Sequence, residues 1–240
     1  MKQHKRLLII VCILLAILIV LAGALIAYLN DYSHADETAL AALETDDKVT
    51  VKEMDYGWFF DGPSEDTGMI FYPGGKVDER AYAPLLHRMA AKGFDVCLVR
   101  MPLHLAILKP DKADDVLAQH SYEHWYIAGH SLGGVSAADY AADHGKKFEC
   151  LLLLAAYPSR QLDESLVVLS IYGSNDKVLN QDKLKESQKY MPPDNLEYII
   201  DGGNHAQFGN YGAQDGDGKA DITAEQQQRE TCDVFRLWIE

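Results

Sequence analysis

Positive charge is scarce in this chain. Lys and Arg number 22 against 36 Asp and Glu, giving a formal net charge of -14. Such a surface does not neutralise phosphates, which excludes nucleic-acid binding as a function class. It also excludes a polybasic membrane-surface mode outside the first few residues. Cysteine is scarce too. The four cysteines form no C-x-x-C pair. Cys97 and Cys150 fall in apolar, strand-like segments, Cys232 in the last helical stretch and Cys12 in the N-terminal apolar run. Buried free thiols are expected rather than disulfides or metal ligands, with a Cys97–Cys150 bridge left open. No internal repeat or low-complexity tract appears. What is present is a 48% hydrophobic composition over 240 residues, enough for one sizeable α/β domain.

From Leu7 to Leu29 there is no charge at all. About 20 apolar residues suffice to cross a bilayer as a helix. Lys2, Lys5 and Arg6 precede this run and predict an inside N-terminus with the rest of the chain outside. A cleaved signal peptide is the competing reading, since Ala22-Gly23-Ala24 fits an A-x-A site. The apolar run continues beyond it to Leu29, which favours an uncleaved anchor. The expected organisation is an anchor (or signal peptide) over 1–30, a linker or stalk over 31–47, and a domain over 48–240. The expected location is the cell membrane, single-pass, with the domain outside the cytoplasm, or secretion if the segment is cleaved.

Within the domain, periods alternate. Strands are expected at 49–54, 57–60, 68–72, 94–101, 124–129, 148–156, 166–172 and 196–200. Helices are expected at 78–92, 111–120, 132–144, 180–190 and 223–239. Continuous apolar strands alternating with helices predict a mainly parallel sheet covered on both faces. In such sheets, sites form just past the carboxyl ends of the strands.

The most informative stretch is Gly129-His130-Ser131-Leu132-Gly133, a G-x-S-x-G between an apolar strand and a helix. Its strained turn projects Ser131 as a candidate nucleophile. The Leu132 N–H stands at a helix N-terminus, where it would stabilise an anion. After the strand ending at Tyr72 comes Pro73-Gly74-Gly75-Lys76. The N–H of Gly75 or Lys76 is the candidate second oxyanion donor. Asp176 follows another strand and is placed to hold a histidine tautomer. His205 follows the last strand and a glycine pair, and its ordinary pKa near 6.5 suits a base at neutral pH. The order Ser131, Asp176, His205 is that stated for α/β-hydrolases.

On these residues the chain resembles the α/β-hydrolase superfamily, in particular its small, cap-poor branch that includes dienelactone-hydrolase-like enzymes. The resemblance covers about Lys48 to Glu240. It rests on Pro73-Gly74-Gly75, Gly129 to Gly134, Gly173 to Val178 and Gly203 to Phe208. It implies an α/β-hydrolase fold and hydrolysis of an ester or related acyl bond in a small molecule. Pro73 stands where many relatives have His. Dienelactone hydrolases use a cysteine nucleophile, so their substrate is not carried over to Ser131.

Only residues 157–165 separate two strands where many such proteins insert a lid. That is too short for one, so an open pocket is expected, bordered by Lys76, His104, Tyr157 and the 206–219 loop. The glycine-containing stretch 206–220 is a flap candidate. Arg100 and His104 follow a strand on the same edge and are read as candidates for binding a substrate carboxylate, Arg100 equally as a structural ion-pair residue. Three other motifs are set aside. His120 to His124 spells H-x-x-E-H, but Trp125 already begins a strand rather than a zinc-binding helix. Gly129 to Gly134 has P-loop spacing, but Val135 stands where lysine is needed. Asp215 to Asp221 hints at a calcium loop but has lost its turn glycine and bidentate glutamate. No metal or organic cofactor is expected. The function expected is a serine hydrolase acting on a carboxyl ester. An acyltransferase on the same triad and a non-catalytic binding protein on this fold are the alternatives.

Overall fold

The computed structural model describes residues 2–63 and 66–239. It divides into two compact units, one ending at Tyr32 and one beginning at Ser33. The first unit is helix α1, Lys2–Asn30, which contains an apolar span Ile9–Asn30 of mean hydropathy 3.4.

The second unit is built on one eight-stranded sheet. Its strands are β1 (Thr50–Met54), β2 (Gly57–Asp61), β3 (Thr67–Tyr72), β4 (Asp95–Val99), β5 (His124–His130), β6 (Cys150–Leu154), β7 (Val167–Gly173) and β8 (Asn195–Ile200). The spatial order is β1-β2-β4-β3-β5-β6-β7-β8. β1, β2 and β4 pair antiparallel, and all other neighbours are parallel. The inner strands β3, β4, β6 and β7 read as apolar runs because the middle of this sheet is buried on both faces, whereas the edge strands β1 and β8 are largely exposed.

Successive side chains point to opposite faces, so each strand feeds two cores. Met69 and Phe71 join one, with Leu85, Leu86, Met89 and Phe235. These come from α3 (Ala83–Ala90) and the last helix, α7 (Ala224–Ile239). Ile70 and Tyr72 join the other, with Ala113, Val116, Ala137, Ala138 and Ala141. These come from α4 (Ala113–Leu117) and α5 (Leu132–His144). α6 (Gln181–Ser187) lies between β7 and β8 in the chain. The helix expected over 78–92 is a 3-10 turn, Glu79–Tyr82, followed by α3, with Pro84 in the first turn, where its missing N–H costs nothing. Cys97, Cys150 and Cys232 are buried free thiols, and Cys12 on α1 is free and exposed.

The residues expected to form a linker from 31 to 47 belong to the folded body from Ser33 onward. Ser33 N–H donates to the Lys76 carbonyl at 2.8 Å, and its carbonyl accepts from Asp78 N–H at 2.8 Å. The short helix α2 (Glu37–Ala41) is capped by Asp36, which accepts from Ala39 N–H at 2.8 Å. Ala39 is fully buried. This polar sequence docks through backbone hydrogen bonds, which hydropathy does not report.

Candidate active site

One residue separates β5 from α5. It is Ser131, held at φ 52° and ψ -125°. A non-glycine residue there is strained and persists only where its surroundings enforce it. The Ser131 N–H is held by the Leu154 carbonyl of β6 at 2.9 Å, and its carbonyl accepts from Val135 N–H in α5. Gly133 lets the helix start this close to the sheet, because a Cβ there would collide with the carbonyls of Tyr72 and Pro73.

Asp176 and His205 meet because β7 and β8 are parallel neighbours with Gly173 opposite Ile200. The two loops beyond are stitched together by Ser174 N–H to the Ile200 carbonyl and Asn175 N–H to the Gly203 carbonyl. One Asp176 oxygen accepts from the N–H groups of Val178 and Leu179, each at 2.8 Å. The other faces His205 Nδ1 at 2.8 Å. Asp176 therefore shapes its own turn and also holds a ring. His205 is 1% exposed and Asp176 5%. A carboxylate only accepts, so the His205 contact puts a hydrogen on Nδ1, and in the neutral ring this tautomer leaves the lone pair on Nε2. That Nε2 is buried with no hydrogen-bond partner among the described residues. The His205 ring centroid lies 4.6 Å from that of His130, the neighbour of Ser131.

Residues 68–229 match the alpha/beta hydrolase family. The chain belongs to this family. No curated protein matches the sequence. Solved structures share the fold at low identity. An esterase from Mycobacterium tuberculosis has a TM-score of 0.58 at 13% identity, covering 85% of this chain and 95% of that one. Naproxen esterase from Bacillus subtilis has a TM-score of 0.55 at 10% identity, covering 84% and 94%. A bacterial membrane phospholipase A has a TM-score of 0.58 at 12% identity, covering 100% and 98%.

In this alpha/beta hydrolase the loop after β3 lies against the elbow. A Cβ on Gly75 would stand 2.8 Å from Leu132 Cδ2. Of the two amides expected as donors in this loop, that of Lys76 is taken: it donates to the His104 carbonyl at 2.8 Å. This corrects the expectation for Lys76 and leaves Gly75 beside Leu132. The neighbouring Gly74 N–H donates to Tyr82 Oη at 3.0 Å.

That phenol begins a buried chain of hydrogen bonds. Tyr82 Oη lies 2.8 Å from His130 Nδ1, and His130 Nε2 lies 3.1 Å from the His205 carbonyl. A carbonyl only accepts, so Nε2 carries the hydrogen, Nδ1 accepts, and the Tyr82 hydroxyl donates. Burial, reinforced by neighbouring His205, pushes the His130 pKa well below its ordinary value and keeps the ring neutral. His130 thus ties the loop after β3 to the backbone of His205. Sequence reasoning passed over it, although it is the variable residue of the G-x-S-x-G motif. Tyr82 carried no signal at all.

The 206–220 stretch is latched. Asp217 accepts from Ala206 N–H at 2.9 Å through one oxygen, and from Gly218 and Lys177 N–H through the other. Asn175 donates to the Lys219 carbonyl at 3.0 Å and to Asp221 at 2.8 Å. Gly218 fits because a Cβ would strike the Asn175 carbonyl. Two carboxylates of the calcium-like motif therefore serve the loop beside His205, and Asp217 is a third residue whose role sequence reasoning missed.

The candidate substrate-binding residues have partners within the fold. Arg100 donates to Glu79 and to Glu53, each at 2.7 Å, which favours its ion-pair reading. His104 Nδ1 lies 3.8 Å from the second Glu79 oxygen. Tyr157 is half-buried against the core that holds Phe71. His120 bonds to Tyr56 and His124 to Glu149, so the two histidines of H-x-x-E-H face different partners. Among the described residues, no group of three His, Cys, Asp or Glu is placed to hold a metal ion.

Proposed function

We propose that this alpha/beta hydrolase is a serine hydrolase that cleaves a carboxyl ester in a small-molecule substrate. The observation that carries this reading is a strained Ser131 whose chain neighbour His130 lies 4.6 Å, ring to ring, from a His205 whose Nδ1 is held by Asp176 and whose buried Nε2 has no partner among the described residues. An unpaired buried nitrogen costs about 1–3 kcal/mol, and an incoming serine or alcohol proton would remove that cost. Ser131 Oγ attacks the ester carbonyl as His205 Nε2 takes its proton. The oxyanion is received by the N–H groups of Leu132 and Gly75, each such donor being worth about 3 kcal/mol. His205 then returns the proton to the leaving alcohol. Water attacks the acyl-enzyme by the same route, releasing the acid and restoring Ser131.

The esterases among the structural neighbours support an ester as the bond. The charge-free span of α1 supports an uncleaved membrane anchor, with the unit from Ser33 onward outside the cytoplasm. A fluorophosphonate probe tests the assignment. The wild type should be labelled and Ser131→Ala should not; equal labelling of both would sink the nucleophile.

A further inference from the structure

The segment after β4 reads Met101-Pro102-Leu103-His104-Leu105-Ala106-Ile107-Leu108. It folds into two short 3-10 turns, Pro102–His104 and Ala106–Leu108. Leu103, Ile107 and Leu108 are 50%, 59% and 52% exposed. Outside α1 they are three of the six large apolar side chains left exposed among the described residues, the others being Leu40, Ile199 and Leu237.

This exposure is built. Leu103 and His104 sit consecutively in the left-handed region, at φ 53° and 55°. The His104 carbonyl is fastened by Lys76 N–H, and its own N–H donates to the Met101 carbonyl. Ala106 is buried, and Leu105 reaches toward Gly75, so the loop is seated beside the proposed oxyanion donor. Two strained residues thus hold Leu103 outward while Leu105 packs inward.

The chain that leaves the apolar span is hydrogen-bonded to the same residue, Lys76. Lys76 gives its N–H to His104 and its carbonyl to Ser33 N–H. Only Asp31 and Tyr32 separate Ser33 from Asn30, where the span ends. Whichever way the two units are turned, three residue steps allow a separation of about 10 Å at most. Lys76, which follows Gly75 and fastens the exposed loop, is thus hydrogen-bonded to a residue only three positions along the chain from Asn30. With a net charge of -14, attraction of the whole domain to anionic headgroups is not what would seat the loop. Apolar contact is.

We propose that the Leu103–Leu108 loop rests on the lipid bilayer that α1 crosses, and that the Ser131 site draws its ester from a membrane-resident amphiphile. The inference deepens the serine-hydrolase reading and rests on it and on the anchor reading of α1. Hydrolysis consumes one water and divides the lipid ester into a fatty acid and the corresponding alcohol.

The full chain in phosphatidylcholine vesicles tests both halves. In a Cys12→Ser background, Ile107→Cys is labelled with an environment-sensitive thiol dye, and Lys185→Cys serves as the exposed control. Lipids carrying a nitroxide near the headgroup should quench the dye at 107 and spare it at 185, with no change in about 0.5 M salt. Equal quenching at both positions, or none at 107, overturns the docking. For the substrate, Leu103→Ser, Ile107→Ser and Leu108→Ser are combined. Cleavage of a soluble acetate ester should stay within about twofold, while cleavage of long-chain lipid esters in the vesicle should fall by about tenfold or more. Parallel loss on both substrates, or on neither, overturns the substrate class, as does a wild type that cleaves the acetate ester and no lipid ester. Failure of the underlying reading looks different: no fluorophosphonate label and no turnover of either ester. A mature chain lacking α1 overturns the anchor reading, and the proposal with it.

Discussion

Lowering the pH should destabilise this protein through His130. In the fold its pKa is pushed well below the ordinary value by burial and by neighbouring His205. In the unfolded chain it titrates near 6.5. Below that value the unfolded state binds the proton and the folded state does not. Stability therefore rises with pH across this window and is lost as pH falls through it. At pH 5.5 a group with an unfolded pKa of 6.5 and a much lower folded pKa removes about 1.4 kcal/mol, against almost nothing at pH 7.5. For a domain of this size that is a fall in Tm of roughly 3–6 °C. The measurement is a pair of thermal melts, at pH 7.5 and 5.5, on the wild type and on His130→Gln. Glutamine also has an acceptor for Tyr82 and a donor for the His205 carbonyl, but does not titrate. His120, also held below its ordinary value chiefly by burial, titrates in both proteins and cancels in the comparison. The variant should lose less Tm on acidification, by that increment. Parallel slopes would refute the neutral, doubly bonded His130. A wild type that gains on the variant at pH 5.5 would mean that the fold takes up the proton.

Asp176→Asn should leave the turn acceptor for Val178 and Leu179 but turn His205 to the wrong tautomer, lowering kcat on an ester by about 10⁴ with little change in Tm. Tyr82→Phe should cost about 2–4 kcal/mol in chemical denaturation, because it strips a partner from both Gly74 N–H and His130 Nδ1 in a buried site. Ser131→Gly should abolish turnover yet raise stability by about 1 kcal/mol, since glycine accepts φ 52° without strain; a Ser131→Gly no more stable than Ser131→Ala would show that the elbow holds no such strain.

Much of the frame was legible because parallel strands, buried on both faces, must be apolar along their whole length. Phe148 to Ala156 and Leu166 to Tyr172 announced themselves in this way; β6 keeps the central Cys150–Leu154 of the first, and β7, Val167–Gly173, is the second shifted by one residue. The elbow was legible because a strand-to-helix turn this tight accepts few residues at 129 and 133. What stayed hidden depends on partners distant in sequence. Arg100 pairs with Glu53 and Glu79 across the fold, and nothing local distinguishes that from a cation awaiting a ligand. The Lys76 amide is taken by a carbonyl after another strand, and every residue has a carbonyl. Tyr82 and His130 sit in separate segments, each unremarked alone. Ser33 to Leu43 docks by backbone contacts, so its polar composition mimicked a stalk.

Backbone strain has a location in this molecule. Among the described residues, the non-glycine residues at positive φ are Lys76, Leu103, His104, Ser131 and Ala155. Each lies within a few residues of the end of a strand: Lys76 after β3, Leu103 and His104 after β4, Ser131 after β5, Ala155 after β6. Those four strands are contiguous in the sheet, in the order β4-β3-β5-β6. Such residues cost about 1–3 kcal/mol each, and a fold selected for stability alone would place glycine there. Scattered strain would suggest poor design of many loops. Strain confined to one edge of four adjacent strands instead marks the edge where position matters more than stability. Hydrogen bonds bind these residues to one another and to the core: Lys76 N–H to the His104 carbonyl, Ser131 N–H to the Leu154 carbonyl, Ala155 N–H to the Ile171 carbonyl. Relaxing one residue would therefore disturb its neighbours, so the strain at Ser131 is held by the sheet as a whole.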